Sequence, residues 1–308
     1  MAEREFIARS LAPLASTPAA RGLADDAAVW TPPLGRDLVF THDVLAAGIH
    51  YLPDDPPSDV AWKLLAVNLS DLAAMAASPA GVLLGLGLSA AGDTAWRDAF
   101  AAGLGRALEQ FGVALWGGDT VTGLERAVLG LTAIGWVEPG RALSRSGAQP
   151  GDALWVSGTI GDAGLGLAVA KGEAPFDKRL LNRFRRPTPR LALGQALGGV
   201  ATAGMDVSDG LLIDADRLAQ ASGVGLAIAL EAVPLGVPAA GLHTLMARVT
   251  AGDDYELLFT VPADLDVAAL AGKTPVTRIG QVMAGAGLTL TYGGEPVPLP
   301  ARLGWEHG

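Results

Sequence analysis

The chain has 308 residues, half of them hydrophobic, with 22 basic and 32 acidic side chains and a formal charge of −10. That length suits two domains or one large one, and the negative balance argues against nucleic acid or an anionic membrane as the main partner. With no cysteine there can be no disulfide, thiolate nucleophile or thiolate metal site, which fits a reducing, cytoplasmic setting.

The N-terminal run MAEREFIARSLAPLA carries Glu3 and Glu5 and lacks a long apolar core, so it is no signal peptide. Phe6, Ile7, Leu11 and Leu14 instead line one face of a short helix. LADDAAV (23–29) brings Asp25 and Asp26. DLVFTHDVL (37–45) reads as a strand holding Asp43, with His50 shortly after it. WKLLAVNLSDLAAMAA (62–77) reads as a helix carrying Asp71. Residues 73–92 are uncharged and long enough to raise a membrane span. Pro79 and the small residues favour a helix end, a turn at SPAG (78–81) and a strand VLLGLGLS (82–89). AWRDAFAAGLGRALEQFG (95–112) is a second helix. Asp119 stands in GGDT (117–120), where Asp beside Gly is ordinarily a turn residue, and TAIGWV (132–137) is another strand. EPGRALSRSGAQPGD (138–152) is rich in Gly, Pro and Ser, and we place a domain boundary there, giving 1–140 and 141–308.

The second half opens with the strand ALWVSG (153–158). The following GDAGLGLAVAKG (161–172) is either a phosphate contact at a helix start or a flexible glycine turn. KRLLNRFRRPTPR (178–190) either touches phosphate or is a solvated linker with a proline-stopped helix, and the second reading is favoured because charge runs usually face water. In MDVSDGLLIDADRLAQASG (205–223), Asp206, Asp209, Asp214 and Asp216 lie where a strand runs into a helix. GLAIAL (225–230), YELLFTV (255–261) and LTLTY (288–292) are further strands. Mixed strands and helices give an α/β or α+β class. VNLSDLAAM (67–75) and MDVSDGLLI (205–213) also echo one another, each pairing a Ser able to cap a helix with an Asp suited to a helix N-terminus.

Carboxylates among apolar residues must be paired, hydrogen-bonded or metal-bound. Cations are sparse: of four lysines only Lys63 lies near such a motif, and the arginines cluster at 141–145 and 179–190. Oxygen ligands from Asp and Thr suit a hard cation such as Mg²⁺, which leans on phosphate oxygens. Taken singly, Ser-Asp before a helix is a cap, His50 a satisfied core residue and Trp305 ordinary packing. Several acidic motifs of one style together point to metal gathered by polyphosphate. No GxxxxGK[ST] is present, so metal rather than a phosphate-loop lysine would neutralise charge.

In order, ADDAA (24–28), THD (41–43) with His50, NLSDLAAM (68–75), GGDT (117–120), SRSGA (144–148), DVSDGL (206–211), GDDYEL (252–257) and the closing GWEH (304–307) resemble the thiamine-monophosphate kinase family. The likeness spans nearly the whole chain. Ala24, His42 and Asp253 depart from that family's usual Gly, Thr and Glu, and Asp254 is a rival to Asp253. The resemblance implies a two-domain fold like that of aminoimidazole ribonucleotide synthetase, with an N-terminal ferredoxin-like (bacillus chorismate mutase-like) α/β domain that pairs in a homodimer. By matching positions it implies Asp26, Thr41, His42, Asp43, Asp71, Asp119, Asp206 and Asp209 as Mg²⁺ ligands. Gly118, Asp119, Arg145 and Ser208 match ATP contacts, and His50, Asp253 and Trp305 match contacts to thiamine monophosphate. The implied reaction is direct in-line transfer from ATP, giving thiamine diphosphate in the last step of its biosynthesis. The acceptor phosphate, with a second pKa of about 6, needs no general base. Rival readings are a purine-pathway synthetase of the same architecture and a passive cation-binding protein. Selenophosphate synthetase and hydrogenase-maturation chemistry would call for a cysteine.

Overall fold

The computed structural model describes residues 3–89 and 94–306. His307 of GWEH and residues 90–92 of the uncharged stretch lie outside the described residues. The chain forms two compact units, Met1–Leu72 with Ser78–Pro139, and Ala73–Ala77 with Gly140–Gly308.

The first unit begins with α1 (Glu3–Phe6) and continues in π and 3₁₀ turns to Leu14. Phe6 and Leu11 are buried, so the N-terminal apolar face is used as its spacing predicts. β1 (Asp37–Ala46), α2 (Pro57–Ala74), β2 (Ser78–Ser89), α3 (Thr94–Phe111), β3 (Ala114–Leu124) and β4 (Val128–Val137) follow. The sheet order is β1-β4-β2-β3, with β2 and β3 parallel and the other pairs antiparallel. Leu64, Leu65, Leu69 and Leu72 of α2, with Phe100 and Leu104 of α3, bury fully. A Cβ on Gly103 would meet Ser58 Cα at 2.4 Å, so that glycine sets how closely α3 approaches the start of α2. The other sheet face is covered at one end, where Ala15, Ala19 and Ala20 pack on Trp116 and Ile134 and Trp30 lies 5.0 Å from Trp116 between ring centroids.

Three local readings are corrected here. SPAG is no turn but the start of β2, which takes up the irregularity as a register shift between Pro79 and Gly81. GGDT lies inside β3, an edge strand, where glycines cost least pairing. Ser70 and Asp71 fall near the C-terminal end of α2, so the echo with 205–213 is not a repeated helix-start design.

In the second unit, β5 (Ala153–Ser157), α4 (Asp162–Ala170), α5 (Lys178–Arg185) and α6 (Leu191–Leu197) precede β6 (Ala203–Val207), α7 (Leu211–Ser222) and β7 (Gly225–Ala229). α8 (Leu242–Val249), β8 (Glu256–Val261), α9 (Val267–Ala271), β9 (Val276–Met283), β10 (Gly287–Tyr292) and β11 (Glu295–Val297) complete it. The seven strands run β11-β10-β7-β9-β5-β8-β6, antiparallel except for β7 and β10. Leu211, Leu212, Ala215 and Leu218 of α7 share one core with Leu154, Met205, Leu226 and Leu258 from the sheet. β6, which carries Asp206, is an edge strand. Among the described residues no helix is long and apolar enough to cross a membrane.

Candidate functional site

In the first unit, β1 alternates. Thr41, Asp43 and Leu45 pair with Ala133, Leu131 and Leu129, all buried, and so face the helices. The Thr41 hydroxyl donates to the Asp71 carboxylate. The Asp43 N–H donates to Asn68 Oδ1 at 3.0 Å, and Asn68 is fixed in turn by donating to the Leu64 carbonyl at 2.9 Å. β1 and α2 thus bring Thr41, Asp43 and Asp71 to one place. His42 points to the other face, where its Nδ1 lies 2.9 Å from the Thr132 hydroxyl, so beside Asp43 it offers only backbone.

Asp119 is exposed on β3 and accepts from the Thr120 N–H at 2.9 Å. Its register partner is Gly85, and Asp43 lies level with Leu131 and Leu84 across the sheet. Asp119 and Asp43 therefore sit on opposite faces and three strands apart, about 14 Å at the usual strand spacing. Gly118 has a structural reason of its own: a Cβ there would come 2.0 Å from the Leu84 carbonyl oxygen. Asp26 is exposed in a bend after the 3₁₀ turns at Pro18–Leu23, beside the Arg21–Asp25 ion pair.

His50 closes the end of β1. Its Nδ1 accepts the Ala46 N–H at 3.1 Å, its N–H donates to the Ala46 carbonyl, and its own carbonyl accepts from buried Lys63. The ring proton therefore sits on Nε2. Next to it is a cavity of about 520 Å³ whose lining includes Gly48, Tyr51, Trp96, Arg97 and Arg126. Burial, with Asp55 nearby, pushes the Tyr51 phenol up to about 12.

In the second unit the turn after β6 is an organising point. Asp206 is buried near the end of the strand. Asp214, one turn into α7 and wholly buried, accepts the N–H groups of Ser208 and Asp209 at 3.0 Å each. Arg217 bridges Asp209 at 2.6 Å and Asp214 at 2.7 Å. Burial raises the Asp214 carboxyl to about 6 against the pull of those N–H groups and of Arg217. The carbonyls of the same turn hold other chain segments: Val207 accepts from Tyr255 N–H at 2.8 Å, Ser208 from Asp253 at 2.7 Å, and Asp209 from Trp305 at 2.9 Å. Asp206, Ser208, Asp209, Asp253 and Trp305 are thereby gathered. At the far end of α7 the Ser222 hydroxyl donates to the Arg145 carbonyl at 2.9 Å, leaving the Arg145 side chain exposed.

Asp253 and Tyr255 both have positive φ, +71° and +51°, a strain of order 1 kcal/mol each that clusters at functional sites. Asp254 turns inward instead. Its carboxylate accepts the N–H groups of Gly161 at 2.6 Å and Ala163 at 3.2 Å, and burial raises it to about 7. The glycine-rich start of α4 therefore holds this protein's own Asp254, which corrects the reading of 161–172 as a phosphate contact.

The favoured reading of 178–190 as a solvated linker is also corrected. Asp177 caps α5 by accepting the N–H groups of Arg179 and Leu180. Arg179 pairs with buried Asp162 at 2.9 Å, and Arg183 and Arg190 pair with the fully buried Glu256 at 2.9 and 2.5 Å. Sequence reasoning missed this pairing and also Arg217, although Asp214 and Arg217 stand three apart on a helix, a spacing that favours contact. Among the described residues, no three acidic or histidine side chains converge closely enough to hold a metal by themselves.

Two family descriptions match the chain: AIR synthase related protein, N-terminal domain, over residues 24–137, and AIR synthase related protein, C-terminal domain, over residues 149–293. A thiamine-monophosphate kinase from Caulobacter vibrioides is 42% identical, covering 99% of this chain and 91% of its own length. The crystal structure of thiamine-monophosphate kinase from Stenotrophomonas maltophilia superposes with a TM-score of 0.84 at 37% identity, covering 96% of this chain and 98% of that one. The structure described as AaThiL complexed with AMPPCP and TMP gives a TM-score of 0.79 at 31% identity over 99% and 97% of the two chains. The chain belongs to the AIR synthase related proteins and, within them, to the thiamine-monophosphate kinase family.

Proposed function

We propose that this protein transfers the γ-phosphoryl group of ATP to thiamine monophosphate, giving thiamine diphosphate and ADP. The observation that carries this reading is the end-to-end likeness to thiamine-monophosphate kinases, one of them solved with AMPPCP and TMP. The acceptor oxygen belongs to a phosphate that is largely dianionic at neutral pH, so no side chain has to remove a proton. The task is to hold two anions in line and compensate their charge.

Thr41, Asp43 and Asp71 form an all-oxygen, partly open donor set that fits a hard cation. Asp26, Asp119, Asp206 and Asp209 offer further carboxylates, and the His42 carbonyl a neutral oxygen. These residues would hold Mg²⁺, which when bound with ATP neutralises the phosphate oxygens. As fewer than three such side chains converge among the described residues, phosphate oxygens and water would complete each coordination sphere. On the nucleotide side, Gly118, Arg145 and Ser208 are the contacts, Arg145 by its exposed guanidinium. On the acceptor side, His50 presents an Nε2–H donor, Asp253 a carboxylate and Trp305 an exposed ring. Asp253, half-buried and accepting from the Tyr255 hydroxyl at 3.2 Å, is favoured over Asp254, which is buried and accepts the Gly161 and Ala163 N–H groups.

The homodimer also belongs to this reading. The outer face of the first unit's sheet exposes Leu38, Phe40, Val44, Leu83, Val121 and Val128, a contiguous apolar surface of the kind a partner covers. We assign it to a second copy, and Asp119 on that face would then lie at the subunit boundary. Sedimentation of Phe40→Glu should show monomer where the unaltered chain is dimeric; an unchanged mass would remove the assignment. The absence of cysteine supports a cytoplasmic setting.

The test is an assay of ADP and thiamine diphosphate formation with Mg-ATP and thiamine monophosphate, beside aminoimidazole precursors as rival acceptors. Turnover of thiamine monophosphate alone is expected. Turnover of a precursor, or nucleotide-independent cation binding without turnover, would favour the rivals. Rapid quench with labelled ATP should give no labelled protein intermediate.

A further inference from the structure

Trp305 reaches the site along an unusually narrow track. Leu303 packs on the core of the second unit, and two residues later the Trp305 N–H donates to the Asp209 carbonyl at 2.9 Å. Between them lies Gly304. A Cβ at that position would stand 2.4 Å from Ile213 Cγ2 and 2.5 Å from the Asp209 carbonyl oxygen. The second contact is with backbone, which no rotamer change relieves. Ile213 belongs to the first turn of α7, whose start is fixed by Asp214, so the obstacle cannot easily retreat.

We propose that Gly304 is a positioning residue for the acceptor substrate. Its missing side chain lets the tail lie against the peptide of Asp209, and this seats the Trp305 ring beside the turn that carries Asp206 and Asp209. The inference rests on the reading of Trp305 as an acceptor contact and deepens it. One residue then serves both substrates: the Asp209 carboxylate, held by Arg217 at 2.6 Å, is one of the proposed metal ligands, while its carbonyl fixes the acceptor side. The same device recurs across the turn, where a Cβ on Gly252 would come 2.7 Å from the Ser208 carbonyl that holds the Asp253 N–H.

Gly304→Ala should push the tail off the Asp209 carbonyl. Hydrogen exchange in the full-length protein should then show lost protection of the Trp305 amide, a readout independent of turnover. In kinetics, kcat/KM for thiamine monophosphate should fall on the order of ten- to a hundredfold, the scale of an ångström-level misplacement, mainly through KM. KM for Mg-ATP and the melting temperature should stay near the unaltered values, and Arg302→Ala, at an exposed position one residue before Leu303, should change neither. Because Gly304 acts through Trp305, Gly304→Ala combined with Trp305→Ala should be no worse than Trp305→Ala alone. Multiplying effects, retained amide protection, an unaltered KM, or a Trp305→Ala variant with normal kinetics would each overturn the proposal. Loss of protection in a protein that never turns over thiamine monophosphate would instead refute the functional reading and leave the packing role of Gly304 standing.

Discussion

The two units treat negative charge in opposite ways. In the second, Asp162, Asp214, Asp254 and Glu256 are buried, and each is answered from within the fold by an arginine or by backbone N–H groups. In the first, Asp55 is buried and accepts the Leu52 N–H at 2.8 Å, but Asp26 and Asp119 are exposed and Asp43 and Asp71 only half-buried, Asp71 accepting the Thr41 hydroxyl. Interior carboxylates are expensive unless compensated where they stand, so these four acidic residues of the second unit are part of its architecture. The exposed and half-buried carboxylates of the first unit are the ones to which the proposed function assigns Mg²⁺. The turn at 206–209 would join the two roles, since Asp209 is paired with Arg217 at 2.6 Å and is also one of the proposed metal ligands.

If that contrast is right, altering the two classes should separate activity from stability. Asp71→Asn keeps an oxygen for the Thr41 hydroxyl and removes only charge. We expect kcat/KM to fall on the order of 10²- to 10³-fold, as when one electrostatic partner of a transition state is lost, with little change in the melting curve. A fully active Asp71→Asn enzyme would remove Asp71 from the proposed metal site.

Arg190→Ala should do the reverse. It strips one of two guanidinium partners from Glu256, whose side chain is completely inaccessible, and should cost about 3 kcal/mol in urea unfolding. If stability were unchanged, the pairing would be ornamental and the distinction between the units would weaken.

An effect of similar size should appear with pH. Asp254 titrates near 7 in the folded chain because burial outweighs the Gly161 and Ala163 N–H groups and Arg183, against about 3.9 in the unfolded chain. Between those values the folded form holds a proton that the unfolded form has lost. The Asp254 contribution is therefore fully present below about pH 4 and declines as pH rises towards 7. Asp254→Asn should flatten that part of the stability profile, by on the order of 4 kcal/mol across the window. Its absolute stability should be lower, because an amide oxygen cannot accept both N–H groups as a carboxylate does. An unchanged slope would mean that Asp254 stays ionised throughout.

What the sequence made legible follows the range of the forces involved. The alternation of β1, the long apolar run of α2, which the structure buries almost all round, and the strand-to-helix passage at 205–222 are signals over many residues, and the structure repeats them. SPAG and GGDT misled because their Gly, Pro and Asp speak for local turns, while pairing with β4 and β2 holds both segments extended. The partners of Glu256 come from residues 66 and 73 positions away, and no local pattern announces such a pair. The acidic motifs are plain in the sequence, but where the fold distributes them is not. Asp43 and Asp119 read as members of one cluster, yet strand order sets them on opposite edges and faces of a sheet.

The smallest expected effect concerns Ala24, which stands before the Asp pair where the resemblance implies glycine. Its φ of −96° and ψ of −19° fall in the right-handed helical region, where a Cβ brings no penalty. Glycine at this position would therefore gain nothing in the folded state and would loosen the unfolded chain. Ala24→Gly should cost about 0.5–1 kcal/mol, with kinetics within twofold of the unaltered protein. A gain in turnover would mean that the acidic bend must pass through a backbone conformation closed to alanine when Asp26 meets its ligand. The first unit's carboxylates would then be mobile as well as available, a sharper contrast with the fixed charges of the second.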